Sequence, residues 1–485
     1  MKQRFFMLLY ACIMLVPASA YAWTDHTILS SLVFADDADL SKKISAEPLT
    51  RFLMSERKGL ASALAAEEQW LREHLYYYPQ RPDSLAFNPE LTQNDLRASF
   101  LRAIRVNPTM PLPLFVQLPP GRRHNRDMLS VSMVSIIPVQ IPNGPFEKLS
   151  SREKVSAYDV LCTASDEPDY GLDVNLYENN RSSFGKEYGF GVQPWGNDAY
   201  AYGTQAPFHM GFFHENPLIA AAAPFSQKSL AEYRFHQYSA LSSFAFRTGH
   251  PYWGYRFAGW ALHYLQDSLS IYHERMLPGV STPSIIQVAV SGDEKARNGF
   301  LSSVSNKHYI YEDYAYYAMT TILSSGAKND PILSALSDRS RDQSIEPLTP
   351  LYIRDVTGAL SESRSDRIDA LVTSSFPAKF ISDPAYIYGT TEPAIDLFSF
   401  LKKNDAEKSR ALNASYREVF MDLGAYSRAF VRWVSSADMS ASVGRSFLLV
   451  WMVLSLAAAA ALFFLFRHRR RKRLTRKAAA KGKRK

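Results

Sequence analysis

Near its C-terminus the chain has twenty consecutive residues without a charged side chain, and this feature constrains its topology more than any other. From Phe447 to Phe466 a helix would cover about 30 Å at about 1.5 Å per residue, the thickness of a bilayer core. The basic tail Arg467–Lys485 follows at once. Because positively charged flanks stay in the cytoplasm, the pattern predicts a transmembrane helix at residues 446–466 and a cytoplasmic tail at residues 467–485.

The N-terminus has the three-part layout of a secretory signal peptide. Lys2 and Arg4 precede an apolar run, which ends in the small-residue pattern Ala20-Tyr21-Ala22. An uncleaved anchor is the alternative, but the run is too short to span a bilayer. We expect cleavage after Ala22. The leader and the C-terminal span together predict a single-pass membrane protein with its body outside the cytoplasm, periplasmic if the source is a bacterium with two membranes.

The excess of basic residues belongs to the two ends of the chain. The sequence has 55 Lys and Arg against 47 Asp and Glu, but twelve of the basic residues lie in the tail and two in the leader. The remaining body has 41 basic and 47 acidic residues. A mildly acidic body shows no electrostatic footprint for nucleic acid, which disfavours DNA or RNA as a partner.

Hydrophobic periodicity predicts a mainly α-helical body. The expected helices are Glu47–Tyr76, Ser229–Arg247, Tyr252–Asp267, Asn306–Thr321 and Ala394–Ser435. Met128–Ile141 is rich in Val, Ile and Ser and is predicted to be a strand. Residues 166–208 are dense in Gly, Asn, Asp and aromatic residues and predict a long loop, which is uncommon unless it is functional.

These patterns divide the chain into six parts, in which a helical core is preceded by a smaller mixed elaboration. The parts are a signal peptide at 1–22, an N-terminal strand with the elaboration at 23–160, a metal-binding helical core at 161–330, a helical extension at 331–445, the transmembrane helix at 446–466 and the basic tail at 467–485.

Histidine and carboxylate residues recur at helical spacing in the predicted core. His263 and Asp267 stand at positions i and i+4, as do His308 and Glu312, so each pair shares one helix face. His273 follows Asp267 by six residues and reaches the same place only if the helix ends after Asp267. Imidazole and carboxylate groups together suit a borderline cation such as zinc. The spacing therefore indicates a metal site.

Removal of the leader would add two further candidate ligands. Trp23 would become the first residue, and His26 lies close behind it. A free α-amino group has an ordinary pKa near about 8, so it loses its proton readily enough to bind zinc. We therefore expect the new N-terminus to take part in the metal site.

Taken together, these motifs resemble the zinc-dependent phospholipase C family, whose fold is shared with the single-strand-specific zinc nucleases. The similar features are the N-terminal Trp23, the spacing H-x3-D-x5-H from His263, and the spacing H-x3-E/D from His308. The resemblance covers Trp23–His26 and about residues 166–313. It implies a mainly helical domain that holds three zinc ions.

The resemblance also implies ligands for each ion, and each set combines nitrogen donors with a carboxylate. The sets are the main chain of Trp23 with His26 and Asp267 for the first ion, His263 with the bridging Asp267 for the second, and His273, His308 and Glu312 for the third.

The second ion would need one more Asp and one more His from upstream. Pro168-Asp169-Tyr170 is similar to the family's segment around that Asp, which favours Asp169, with Asp166 and Asp173 as alternatives. His209 follows a short apolar turn as the family's ligand does, and His214 is the alternative. By the same resemblance Asp169 would also be catalytic, since it could orient the attacking water or accept its proton.

The implied activity is zinc-dependent hydrolysis of a phosphodiester, with phospholipid head groups as the expected substrate. Glu312 in place of Asp, and the aromatic Tyr170 beside Asp169, both favour the lipase branch. The alternatives are a single-strand nuclease-like phosphodiesterase on the same metal site and a non-catalytic zinc-binding module.

Overall fold

Helices make up most of the chain, which confirms the mainly α-helical fold. The computed structural model describes residues 25–137, 145–291, 293–327, 329–389 and 391–436. Its α-helices are α1 (His26–Val33), α2 (Leu49–His74), α3 (Gln93–Ala103), α4 (Ala157–Ala164), α5 (Gly185–Tyr188), α6 (Ala201–His209), α7 (Pro217–Ala222), α8 (Ala231–Arg247), α9 (Pro251–Asp267), α10 (Ile271–Glu274), α11 (Thr282–Ser291), α12 (Glu294–Ser325), α13 (Pro331–Ser337), α14 (Ala359–Ser375), α15 (Ala378–Ser382), α16 (Leu397–Asn404) and α17 (Ala406–Ser435).

Two small antiparallel sheets lie between the early helices. The strands are β1 (Lys43–Ser45), β2 (Phe115–Gln117), β3 (Met128–Leu129), β4 (Phe146–Lys148) and β5 (Lys154–Ser156). One sheet pairs β1 with β5, and the other has the order β2-β4-β3. In the first sheet Lys43 is opposite Ser156 and Ser45 is opposite Lys154.

Helix α9 is the centre of the fold. It packs along α8, and α4 and α17 also lie against it. Every residue from Tyr252 to Asp267 is buried, so its polar side chains need partners inside the protein. Arg256 donates from Nε to a Glu167 carboxylate oxygen at 2.9 Å, which neutralises one of these charges. The helices up to Ser435 group into one compact unit within the described residues.

The long predicted helices are present, but two segments differ from the sequence-based expectation. The predicted helix Ala394–Ser435 is divided into α16 and α17. The division occurs at Asp405, whose carboxylate accepts the Lys408 N–H at 3.0 Å and so caps the start of α17. Residues 166–208, predicted as one loop, include α5, α6 and a 3-10 turn at Glu167–Tyr170.

The strand prediction for Met128–Ile141 is wrong for most of its described residues. Only Met128–Leu129 is a strand, and a 3-10 turn at Val131–Met133 follows; residues 138–141 lie outside the described residues. The Ser135 hydroxyl donates to the Tyr170 carbonyl at 3.1 Å, as does the Ile136 N–H. These bonds replace a strand ladder, because a serine side chain offers the backbone an alternative partner.

Several predictions concern residues outside the described part of the chain. They are the leader at 1–22, the ligand Trp23, the transmembrane helix at 446–466 and the tail at 467–485. Among the described helices, none is both long enough and apolar enough to cross a bilayer.

Candidate metal centre

The end of helix α9 turns the chain so that His273 returns to Asp267. The helix stops at Asp267, and α10 begins at Ile271. Between them the Ser270 N–H donates to the Asp267 carbonyl at 2.9 Å. His273 Nδ1 then lies 3.6 Å from Asp267 Oδ1. The condition stated from the sequence, a helix that ends after Asp267, is therefore met.

One group of candidate ligands consists of His26, His263 and Asp267, whose donor atoms lie within 4.8 Å of one another. His26 is the first residue of α1, and that helix start is stabilised by the Asp25 carboxylate, which accepts the Ile28 N–H at 2.7 Å. As a result His26 Nε2 lies 3.4 Å from Asp267 Oδ1. The start of the described chain thus reaches the end of α9.

A second group consists of Asp169, His209 and His263. His209 is the last residue of α6, and Asp169 lies in the 3-10 turn Glu167–Tyr170. Asp169 Oδ1 is 3.8 Å from His209 Nδ1 and also 3.8 Å from His263 Nε2. The two imidazoles approach each other, with His263 Nε2 2.9 Å from His209 Nδ1. Two nitrogen donors and a carboxylate therefore converge on one point.

A third group consists of His273, His308 and Glu312. His308 and Glu312 lie one turn apart on α12, and His308 Nε2 is 2.9 Å from Glu312 Oε1. His273 Nε2 is 3.2 Å from the same oxygen. All three residues are buried. The i, i+4 spacing seen in the sequence therefore brings both α12 side chains to α10.

Asp267 connects the three groups, because each of its oxygens faces a different pair of imidazoles. Oδ2 lies 3.1 Å from His209 Nδ1 and 3.3 Å from His263 Nε2. Oδ1 faces His26 at 3.4 Å and His273 at 3.6 Å. A carboxylate in this position could be shared between two cations.

Several buried atoms of these groups lack a hydrogen-bond partner among the described residues, and this fits a cation. An unsatisfied buried polar atom is costly, so such atoms are rare unless a ligand uses them. The atoms are His26 Nε2, Asp267 Oδ1, His273 Nε2 and Glu312 Oε2. The donor set is imidazole with carboxylate, which zinc and similar divalent metals accept.

The outward nitrogens of three imidazoles are held by other parts of the protein. His26 Nδ1 bonds to Gln266 Oε1 at 2.8 Å, and His263 Nδ1 bonds to the Ser165 carbonyl at 2.8 Å. His273 Nδ1 is 3.2 Å from the His209 carbonyl. Such outer contacts fix the ring orientation and leave Nε2 free to bind a metal. The rings are therefore orientated for ligation without a bound ion.

Burial and neighbouring charges give four central side chains of the metal-free protein very different pKa values. Burial alone would lower the pKa of His26, but the Asp267 carboxylate 3.4 Å away raises it to about 9. Burial and the nearby positive charge of His26 lower the pKa of His263 to about 3. Burial raises the pKa of Asp169 to about 7. The surrounding imidazoles hold the pKa of Asp267 well below its usual range despite burial.

The structure separates the alternatives that the sequence left open. The His214 Nε2 atom bonds to the Arg354 carbonyl at 2.7 Å, and His214 belongs to none of the three groups. Asp173 is 3.7 Å from His209 Nε2, but it forms an ion pair with Arg234 at 2.6 Å. Asp166 accepts the Gln117 side chain at 2.7 Å. Asp169 and His209 are the pair that the fold brings to the other ligands.

Two features of the site could not be read from the sequence. Gln266 lies beside Asp267, but its contact with His26 spans 240 residues and follows no motif. Ser165 acts through its main chain, so its residue type carries no signal.

Tyr170, which was expected to contact a lipid head group, is buried, and its ring packs on Phe146 with ring centroids 5.9 Å apart.

The fold and the site define a mainly helical protein in which buried His, Asp and Glu side chains form groups that could hold metal ions. A comparison with known proteins finds no matching family model, no significantly similar curated protein and no significantly similar solved structure.

Proposed function

We propose that the protein is a zinc-dependent phosphodiester hydrolase that cleaves phospholipid head groups in the manner of a phospholipase C. The observation that carries the proposal is the meeting of three ligand groups around Asp267. His273, His308 and Glu312 form one group, as the resemblance implied, whereas His263 lies both with His26 and Asp267 and with Asp169 and His209.

In this proposal the three groups hold three zinc ions, with the amine and carbonyl of Trp23 completing the group that contains His26. When bound, zinc acts as a Lewis acid on phosphate oxygens and makes water a nucleophile near neutral pH. The buried setting strengthens each electrostatic contact, because few water molecules remain to screen it.

Asp169 is the residue proposed to handle the proton. Its carboxylate receives a hydrogen bond from Gln205 Nε2 to Oδ1 at 3.2 Å, which fixes its orientation. Burial raises its pKa to about 7 in the metal-free protein. It would accept the proton of the attacking water at a carboxylate oxygen as the water oxygen bonds to phosphorus. The bond from phosphorus to the diacylglycerol oxygen would break, and that oxygen would take up a proton from water.

One surface feature favours lipid over nucleic acid as the substrate. Met128, Val131 and Met133 are exposed large apolar residues, with 42%, 38% and 51% of their surface accessible. Their segment is bonded through Ser135 to the main chain of Tyr170, the neighbour of Asp169. Exposed apolar side chains next to a site suit contact with acyl chains. The acidic charge of the body disfavours a polyanion.

The proposal is tested with the metal-loaded full chain on phosphatidylcholine, phosphatidylethanolamine and single-stranded DNA. We expect release of diacylglycerol and a phosphorylated head group, and loss of this release in a His263→Ala variant. His214→Ala is the matched control, since His214 lies outside the three ligand groups, and it should retain activity. Release of nucleotides without diacylglycerol would show that the substrate is nucleic acid and not lipid. Full metal content without any turnover would refute the enzymatic proposal.

A further inference from the structure

A separate cleft of about 520 Å³ lies at the opposite end of helix α9 from the candidate metal centre. It is lined by residues from β1, β5, the start of α2 and the turn Gly249–Tyr252. Asp267 ends the helix that Pro251 begins, so about 24 Å of helix separate the two places at about 1.5 Å per residue. The cleft is therefore not part of the metal site.

The lining of the cleft is strongly basic. Lys43, Arg51, Arg152 and Lys154 contribute four cations from three parts of the chain, and Glu47 is the acidic residue among the lining side chains. Glu47 is engaged by its neighbours, because one oxygen lies 2.9 Å from His250 Nδ1 and the other 3.7 Å from Arg51 Nε. Its charge is thus not available to the remaining cations.

The other three cations, Lys43, Arg152 and Lys154, have exposed side chains. In the part of the chain that the structure describes, no carboxylate forms an ion pair with Lys43, Arg152 or Lys154. The pairing of Ser45 with Lys154 places Lys43 and Lys154 on the same face of the β1–β5 sheet, as diagonal neighbours. Like charges in this arrangement repel each other, and a bound anion would remove the repulsion.

A helix start adds to the positive potential of the same cleft. Helix α9 is seventeen residues long, and Pro251 and Tyr252 of its first turn line the cleft. The first amides of a helix have no partner within the helix, and its dipole is positive at this end. His250 is the residue before the helix, but its side chain does not cap it. Instead the ring bonds to Glu47 and Glu56.

Arg152 has a backbone conformation that normally selects glycine. Its φ is +67°, and its N–H donates to the Ala46 carbonyl at 2.8 Å. An arginine at a position where glycine would be less strained is consistent with use of its guanidinium in the cleft.

We propose that this cleft is a second ligand site, which binds a phosphate group through Lys43, Arg152 and Lys154. Guanidinium and ammonium groups are the usual partners of phosphate oxygens. The ligand is either free phosphate, as the inorganic ion or a phosphomonoester, or the phosphodiester head group of an anionic lipid. No chemical step is assigned to the cleft.

The test is calorimetric titration of the metal-loaded full chain with inorganic phosphate at low ionic strength. We expect the double variant K43S/K154S to bind one phosphate fewer per chain than the wild type, with unchanged metal content. The matched control is Lys148→Ser, which removes an exposed lysine from strand β4 in the other sheet. An equal number of bound phosphates and equal affinities in K43S/K154S and the wild type would overturn the proposal, as would the same loss in K148S.

A second variant excludes a folding defect as the cause. Arg152→Gly suits the local backbone, so it should keep the fold and the thermal transition while weakening cleft binding about tenfold or more. The two phosphate sources are separated by repeating the titration with glycerophosphoglycerol, the head group of phosphatidylglycerol. Tighter cleft binding of this diester identifies a lipid source, tighter binding of phosphate identifies a soluble ligand, and binding of neither refutes the site.

Discussion

The Nε2 atom of His26 lies 3.4 Å from Oδ1 of Asp267, so the first described helix and the end of the central helix share one buried point. Neither atom has a hydrogen-bond partner within the described residues. Two buried polar groups without hydrogen-bond partners destabilise a fold, unless a cation lies between them and binds both. The following predictions depend on this contact and on those around it.

Replacing the bridging carboxylate should remove metal from more than one group. Asp267→Asn keeps the size of the side chain but removes the charge that faces four imidazoles. We expect metal affinity to fall by roughly 100-fold or more, since even partners of ligands cost 10- to 100-fold. Metal content by mass spectrometry is the measurement. Asp355→Asn, at a carboxylate that is 59% exposed, is the control and should retain all its metal.

Gln266 should act through the orientation of His26. Gln266→Leu removes the acceptor for His26 Nδ1, and we expect metal affinity to fall about 10- to 100-fold with the fold retained. Gln266→Glu keeps an acceptor oxygen and should restore most of the affinity. Equal loss in both variants would contradict an orienting role, and circular dichroism monitors the fold.

Metal binding should release protons, and its affinity should rise with pH. In the metal-free site the pKa of His26 is raised to about 9 and that of Asp169 to about 7. At pH 8 His26 is therefore protonated and must lose its proton to bind a metal, and below pH 7 Asp169 must do so as well. We expect at least one proton released per chain at pH 8, and more at pH 6.

Calorimetry in two buffers of different ionisation enthalpy measures this release. Asp169→Asn should reduce the additional release at pH 6 without abolishing it, because Asp267 and Glu312 raise the pKa of His273 despite its burial and His273 must also lose a proton there. The release from His26 at pH 8 should stay largely in place. A proton count that does not depend on pH would show that these pKa values do not govern the metal-free site.

Chelation should lower activity and stability together. Without metal, the imidazoles and carboxylates of the three groups stay buried, and the folded state loses the binding free energy that it gains from the ions. We expect exhaustive chelation to lower the thermal transition and abolish hydrolysis, and added zinc to restore both. Activity that survives chelation would exclude the zinc mechanism.

The N-terminal ligand remains a prediction of the sequence, because Trp23 lies outside the described residues. Extending the mature chain by one residue before Trp23 converts its amine into an amide, which cannot bind the ion in the same way. We expect one of the three proposed ions to bind more weakly. Unchanged metal affinity in the extended protein would count against ligation by the terminus.

The buried pair of Arg256 and Glu167 should be important for stability, because it supports the turn that carries Asp169. Both side chains are at most 3% exposed, and Trp260 Nε1 also donates to Glu167 at 2.9 Å. Glu167→Ala leaves the buried guanidinium without a counter-charge, although Arg256 Nη1 still donates to the Pro113 carbonyl at 3.0 Å. We expect a loss of about 3–5 kcal/mol in the free energy of unfolding.

Chemical denaturation of the metal-loaded protein measures this loss. Glu187→Ala provides the control, since its pair with Arg102 is 44% to 51% exposed and should contribute no more than about 1 kcal/mol. Similar losses in the two variants would show that burial does not decide the strength of the Arg256 pair.

Local features of the chain were predictable because their causes are local. The periodicity of residues 252–267 predicted helix α9, and the i, i+4 spacing placed His308 and Glu312 together. The strand prediction at Met128–Ile141 failed, because the Ser135 hydroxyl and the Ile136 N–H bond to Tyr170, which is distant in sequence. A propensity count cannot include such a partner.

The amino-acid sequence determines the helical class, the residue pairs that share one helix face and the residue types that suit a metal. The meeting of α1, α6, α9 and α10 at Asp267, and of α12 with α10 at His273, depends on packing between elements that lie far apart in the chain. The ion pair of Asp173 with Arg234, which leaves Asp169 as the proposed ligand, has the same origin. Spacing describes neighbours along one helix, whereas long-range burial decides which charges find partners and which stay available for an ion.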